Sequence, residues 1–198
     1  MNYTIVGLGN PGEEYKNTRH NVGRIVLDYF ANANTDAFSE WASDKKLKAL
    51  VSDGKIGKNK IMLIKPETFM NKSGLSVKSL ITSEKKAESL VVVYDDLDLP
   101  YGDFKIAYNR GSGGHKGIES ISKTIKTKEF VRIRVGICPT TPTGKLKKPK
   151  GDNKVLDYIM NDFSKKELEV LKSMSKKIND ALIEIIEKGR VNAMNKFN

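Results

Sequence analysis

Apolar residues recur along the chain in two rhythms. Short runs at Tyr3–Val6, Leu47–Val51, Lys60–Lys65, Leu90–Tyr94, Phe104–Tyr108 and Val131–Ile137 read as strands. Leu90–Tyr94 is unbroken and suits a central, buried strand. Val131–Ile137 alternates apolar residues with Arg132 and Arg134, the pattern of a half-exposed strand. Asp53–Gly57, between the second and third runs, predicts a hairpin. Three- and four-residue spacings predict helices elsewhere. Val22, Ile25, Val26, Tyr29 and Phe30 share one face of a helix over 21–33, and Ile118, Ile121 and Ile125 share a face of another. Leu75, Val77, Leu80 and Ile81 predict a helix that ends near Thr82. The longest helix follows the capping-box spacing Ser164-x-x-Glu167, carries Leu168, Leu171, Met174, Ile178, Leu182 and Ile185 on one face, and stops at Gly189.

Thr140–Asn153, rich in proline and lysine, reads as a mobile basic loop, Val155–Ile159 as a short apolar patch, and Asn192–Asn198 as a mostly polar tail. Strands alternate with helices and no repeat or linker interrupts them. The expected fold is therefore α/β: a single domain over residues 1–198, with a twisted mixed β-sheet flanked by α-helices and a long C-terminal helix.

Four polar loops mostly follow the predicted strands: Gly7–Asn21, Lys65–Gly74, Asp95–Gly102 and Asn109–Gly117. In open α/β sheets ligands bind at the carboxyl ends of strands, so these loops can converge on one site. The first concentrates three glycines, Pro11, three asparagines and His20 within fifteen residues. Such residues also build turns, and composition alone leaves that reading open.

Composition narrows the classes. Lys and Arg outnumber Asp and Glu by 35 to 24, a formal net charge of +11 that favours polyanionic partners, nucleic acid among them, although a solvated lysine surface has the same arithmetic. The lone cysteine, Cys138, permits no internal disulfide and reads as a small buried side chain in a reducing compartment. No basic-then-apolar leader and no run of membrane-spanning length is present, so the expectation is a cytoplasmic protein.

Several literal motifs fail on context. Gly7-x-Gly9-x-x-Gly12 matches a dinucleotide fingerprint, but Pro11 lies inside it and helical periodicity begins only near Asn21. Arg110 stands where a nucleophile elbow needs glycine. Two histidines and one cysteine give no metal-ligand spacing; Asp95, Asp96 and Asp98 could hold magnesium or cap a turn. What remains is acid–base chemistry, with a histidine as base and a carboxylate to fix its tautomer. His20 and Asp95 are of the required types, and neutral asparagines can hold water or a carbonyl.

These blocks resemble a known family. Val6-Gly7-Leu8-Gly9-Asn10-Pro11-Gly12-x-x-Tyr15-x-x-Thr18-Arg19-His20-Asn21-x-Gly23 resembles the N-terminal signature of bacterial-type peptidyl-tRNA hydrolases. Lys65-Pro66-x-Thr68-Phe69-Met70-Asn71-x-Ser73-Gly74, Asp95-Asp96-Leu97-Asp98-Leu99-Pro100-x-Gly102, Gly113-Gly114-His115-x-Gly117 and Phe130-x-Arg132-x-Arg134-Val135-Gly136-Ile137 follow in family order, and Ala193-Met194-Asn195 closes the match. The resemblance implies hydrolysis of the ester between a peptide and the 3′-terminal ribose of tRNA, with peptidyl-tRNA as partner and no cofactor or metal. It implies His20 as the base that activates water and Asp95 as its orienting carboxylate. Asn10, Tyr15, Met70, Asn71, His115 and Lys116 would face the substrate, and Lys105 and Arg134 would clamp a tRNA phosphate. Lys116 departs from the family, which usually has asparagine there; lysine brings charge and donors but no acceptor.

That departure motivates an alternative, a tRNA-binding module with weakened catalysis. A nucleotide-cofactor enzyme using the glycines of the first loop is a third. No obvious hydrophobic association stripe is visible, which fits a monomer.

Overall fold

The computed structural model describes residues 1–198. Seven strands form one mixed sheet: β1 (Asn2–Gly7), β2 (Ala42–Asp44), β3 (Ala49–Ile56), β4 (Asn59–Pro66), β5 (Leu90–Pro100), β6 (Phe104–Tyr108) and β7 (Val131–Cys138), in the spatial order β2-β3-β4-β1-β5-β7-β6. The four central strands are parallel, and antiparallel pairs close both edges. The chain crosses from β1 to β4 on one side and from β4 to β5 on the other, so the order reverses at β1. Ligand clefts in such sheets form at that reversal.

Helices cover both faces. Alternation along the strands sends Tyr3 and Ile5 of β1, with Val91 and Val93 of β5, into one core. That core includes α1 (Val22–Ala33), α5 (Lys165–Lys188) and α6 (Arg190–Phe197). Val6, Val92 and Tyr94 point the other way, against α3 (Lys116–Ile125) and the turn that follows β4. The remaining helices are the short α2 (Glu84–Ala87) and α4 (Asp152–Met160). The predicted hairpin is β3–β4, although Asp53–Ile56 extend β3 and the turn is confined to Gly57 and Lys58, and α5 begins with a complete capping box at Ser164 and Glu167. No helix is long and apolar enough to cross a membrane.

Five local expectations need correction. Met70–Ser76 is a 3-10 segment, not the start of an α-helix. Gly74 lies so close to α3 that a Cβ there would come within 2.4 Å of the Ser120 carbonyl oxygen, and this approach fixes the tighter path. Asp95–Pro100 is not a loop but the end of β5, paired with β7 through an irregular register between Asp96 and Pro100. β7 is buried throughout instead of half-exposed. Arg132 lies over the Phe130 ring, 4.4 Å from its centroid, and Arg134 Nε donates to Asp96 Oδ2 at 2.7 Å, so both cations fold inward. The apolar patch Val155–Ile159 belongs to α4, which starts at Asp152, inside the predicted loop. The polar tail is helical α6, anchored where Asn198 exchanges two hydrogen bonds with the Ile106 backbone.

Candidate active site

The segment after β1 is shaped by close backbone packing. A Cβ on Gly7 would stand 2.4 Å from the Gly23 carbonyl oxygen, and one on Gly23 would stand 2.3 Å from the Val93 carbonyl oxygen. Helix α1 therefore runs directly against β1 and β5, and residues 8–21 loop out and return. Asn21 ties the ends of that loop: its Oδ1 accepts from Asn10 N at 2.8 Å and its Nδ2 donates to Asn10 O at 2.9 Å. The side-chain Oδ1 of Asn10 accepts from Met70 N at 2.9 Å, which turns Nδ2 toward the Met160 sulfur, 3.9 Å away. Gly7 thus serves strand–helix packing, Gly12 turns the loop at a positive φ, and α1 begins ten residues after the fingerprint. That is the wrong place for a pyrophosphate cradle.

The returning loop delivers His20 to Asp95, midway along β5. His20 Nδ1 lies 3.0 Å from each carboxylate oxygen of Asp95. Only 4% of Asp95 and 7% of His20 are exposed, so the pair is screened from bulk water on the carboxylate side. Burial acts to raise the Asp95 carboxyl, but the His20 and His115 imidazoles outweigh it and hold the group below the usual carboxylate range. Burial likewise acts to lower the His20 imidazole, and the Asp95 charge and hydrogen bond overcome it, leaving His20 above its ordinary value. A carboxylate on Nδ1 places the ring proton there. Nε2 makes no hydrogen bond within the protein and is left as an acceptor.

His20 faces a cleft of about 710 Å³. Asn10 and Tyr15 line it from the first loop, Phe69, Met70 and Asn71 from the turn after β4, and Val155, Leu156, Ile159 and Met160 from α4. Asn71 is exposed and Tyr15 half-buried. Phe69 and Leu156 leave 59% and 55% of their surface open, an apolar rim beside the polar floor.

His115 joins the same carboxylate, its Nε2 2.9 Å from Asp95 Oδ1. Its Nδ1 accepts from the backbone N–H groups of Gly117 and Ile118 and caps α3. Both ring nitrogens are thus used inside the fold. Lys116 is exposed at the rim, with Nζ 3.2 Å from Glu119 Oε2. Lys105 and Arg134 are register partners across β6 and β7; Lys105 is exposed, whereas Arg134 is buried against Asp96.

Contrary to the reading from spacing, metal-ligand types do gather: His20, Asp95 and His115 offer atoms within 4.8 Å of one another. Those atoms already hydrogen-bond one another, so a cation there would have to displace two imidazole protons. This is the donor set of a proton-handling cluster rather than a ready metal cage.

Sequence reasoning missed α4 as a wall, and it missed the residue that holds α4 in place. Arg19 Nη1 donates to the carbonyls of Asn161 and Asp162 at 3.1 Å each, and Nη2 pairs with Glu167 at 2.9 Å. The only signal for the wall was the apolar run 155–159 beside a proline-rich stretch.

A family model for peptidyl-tRNA hydrolase matches residues 4–198. Peptidyl-tRNA hydrolases of Fervidobacterium nodosum and Clostridium botulinum (strain Alaska E43 / Type E3) are similar at 43% identity over 194 residues and 39% over 198. These alignments cover 98% and 99% of this chain and 94% and 95% of the relatives. The crystal structure of peptidyl-tRNA hydrolase from Acinetobacter baumannii superposes with a TM-score of 0.84 at 28% identity, covering 99% of this chain and 94% of that one.

Proposed function

The chain belongs to the peptidyl-tRNA hydrolase family, and from that premise we propose that His20 and Asp95 carry its chemistry. It is a hydrolase that cleaves the ester between a peptide and the 3′-terminal ribose of tRNA. The observation that supports the residue assignment is the buried His20–Asp95 pair, with Nε2 open to the cleft.

Water held at Nε2 gives up a proton as its oxygen attacks the ester carbonyl, and Asp95 stabilises the imidazolium that forms. The tetrahedral intermediate collapses, the imidazolium returns the proton to the departing ribose oxygen, and the products are a free tRNA hydroxyl and a peptide carboxylic acid, which releases its own proton to solvent as the carboxylate. The Asn10 amide donates to the substrate or to the developing oxyanion, a role supported by the Met70 N hydrogen bond that turns its Nδ2 away from the backbone. Asn71 adds donors and acceptors at the mouth, while Met70, Tyr15 and α4 give an apolar bed for the peptide. His115 touches substrate only through its ring edge, since its nitrogens are engaged. Lys116 offers a cation to a phosphate or carboxylate at the rim. Lys105, exposed beside the Arg134–Asp96 pair, supplies charge for a tRNA phosphate.

The protein acts as a monomer in the cytoplasm with no resident metal. The lone buried Cys138 fits a reducing compartment, and the His–Asp–His hydrogen bonds leave no ready cation cage. A binding module without catalysis is not supported: the base and its carboxylate are assembled, and Lys116 only pairs with Glu119 at the rim.

Incubation with N-blocked aminoacyl-tRNA tests the assignment. Release of the blocked amino acid is expected from the unchanged protein and should fall by about 10²-fold or more in His20→Ala. Undiminished release would overturn the role of His20.

A further inference from the structure

One carboxylate serves two histidines here. Asp95 Oδ1 receives His20 Nδ1 at 3.0 Å and His115 Nε2 at 2.9 Å. The His115 ring is not free to swing. Its Nδ1 accepts from Gly117 N at 3.2 Å and Ile118 N at 3.4 Å, and the Tyr94 ring packs edge-on with centroids 4.9 Å apart. With Nδ1 an acceptor, the His115 ring proton sits on Nε2 and points at Asp95. A carboxylate that satisfies a second donor attracts the first less strongly.

We propose that His115 is a positioning residue that tempers His20: by donating Nε2–H to Asp95 it takes up part of the carboxylate's charge and keeps His20 a weaker base than an undivided Asp95 would make it. The proposal rests on the reading of His20 as the base.

The surroundings leave this arrangement in control. From β5, Asp96 is neutralised by Arg134, and Tyr94 contributes a phenol. From α3, Lys116 is paired with Glu119. Asp152 of α4 and Tyr15 of the first loop also border the cleft. On the histidine's own turn, Arg19 is directed to Glu167. None of these hydrogen-bonds His20; Asp95 alone does. The benefit is functional. His20 is already biased toward its protonated form, and a stronger bias would leave fewer molecules able to take a proton from water near neutral pH.

Only two histidines exist in the chain, so isotope-labelled imidazole signals give each titration separately in the protein without substrate. Two variants divide the roles of His115. In His115→Asn the side-chain oxygen still caps α3, but the side chain is too short to reach Asp95. In His115→Gln the longer amide still donates toward Asp95. The Asn variant should raise the His20 midpoint by about half to one pH unit, and the acid limb of kcat/KM should follow it. The Gln variant should leave both near those of the unchanged protein. A His20 midpoint that stays put or falls in His115→Asn would overturn the proposal, as would a rise in His115→Gln equal to that in His115→Asn. If the midpoint rises in the Asn variant while the acid limb of kcat/KM does not move, the tempering stands and the reading of His20 as the base fails.

Discussion

At the scale of single residues, the site depends on which atoms are already spoken for. Asn21, 1% exposed, is consumed in closing the loop on Asn10, which frees the Asn10 side chain for Met70 N and the cleft. His20 spends Nδ1 on Asp95 and keeps Nε2. Because the folded His20 lies above the ordinary imidazole value and only its free base accepts a proton, kcat/KM should fall as pH drops through a midpoint above that value. Asp95→Asn should lower kcat by about 10²- to 10⁴-fold and move that midpoint down; a pH–rate series checks both. The two groups act oppositely on stability. Asp95, held low, contributes stability above the ordinary carboxylate range and loses it as pH falls through its folded value, whereas the His20 contribution is present below the ordinary imidazole value and is lost as pH rises through the folded one. Residue types were legible in the sequence: a histidine and an asparagine in one loop, an aspartate after a buried strand. The sharing of Asp95 with His115 was not, because 20 residues and a strand change separate them and spacing carries no information about that approach.

At the scale of elements, close backbone contacts set the paths that bring these atoms together. Gly23 admits α1 against β5 at Val93, and an added methyl would meet backbone rather than a yielding side chain. Gly23→Ala should therefore cost about 3 kcal/mol or more, read as a lower denaturant midpoint, and should reduce activity by displacing His20. The glycines of the first loop looked like a cofactor fingerprint because the same residue type answers both needs; the late start of α1 decides between them. Periodicity placed α1, α3, α5 and six of the strands. It failed over Met70–Ser76, where contact with α3 tightens the turn, and at β7, where two arginines sit on a fully buried strand because one stacks on Phe130 and the other pairs with Asp96. Period-two alternation reports chemistry, not exposure, when the polar residue finds a buried partner.

At the scale of the whole molecule, the reversal of strand order at β1 gathers the first loop, the turn after β4 and the end of β5 at one rim, and α4 closes the far side. Alternating strands and helices made an α/β sheet legible, but strand order depends on long-range pairing that local patterns do not encode. The surplus of +11 charges then favours a polyanion over the whole surface. KM for tRNA substrates should rise steeply with salt, and Lys105→Ala should reduce the slope of log KM against log salt by about one while leaving kcat nearly unchanged. Residue, element and sheet together serve the proposed activation of water by His20 Nε2. It is tested most directly by single-turnover cleavage of N-blocked aminoacyl-tRNA by His20→Gln, with tRNA binding measured on the same sample. His20→Gln should bind tRNA as tightly as the unchanged protein and cleave it about 10²-fold or more slowly; full-speed cleavage of the bound substrate would show that His20 is not the base.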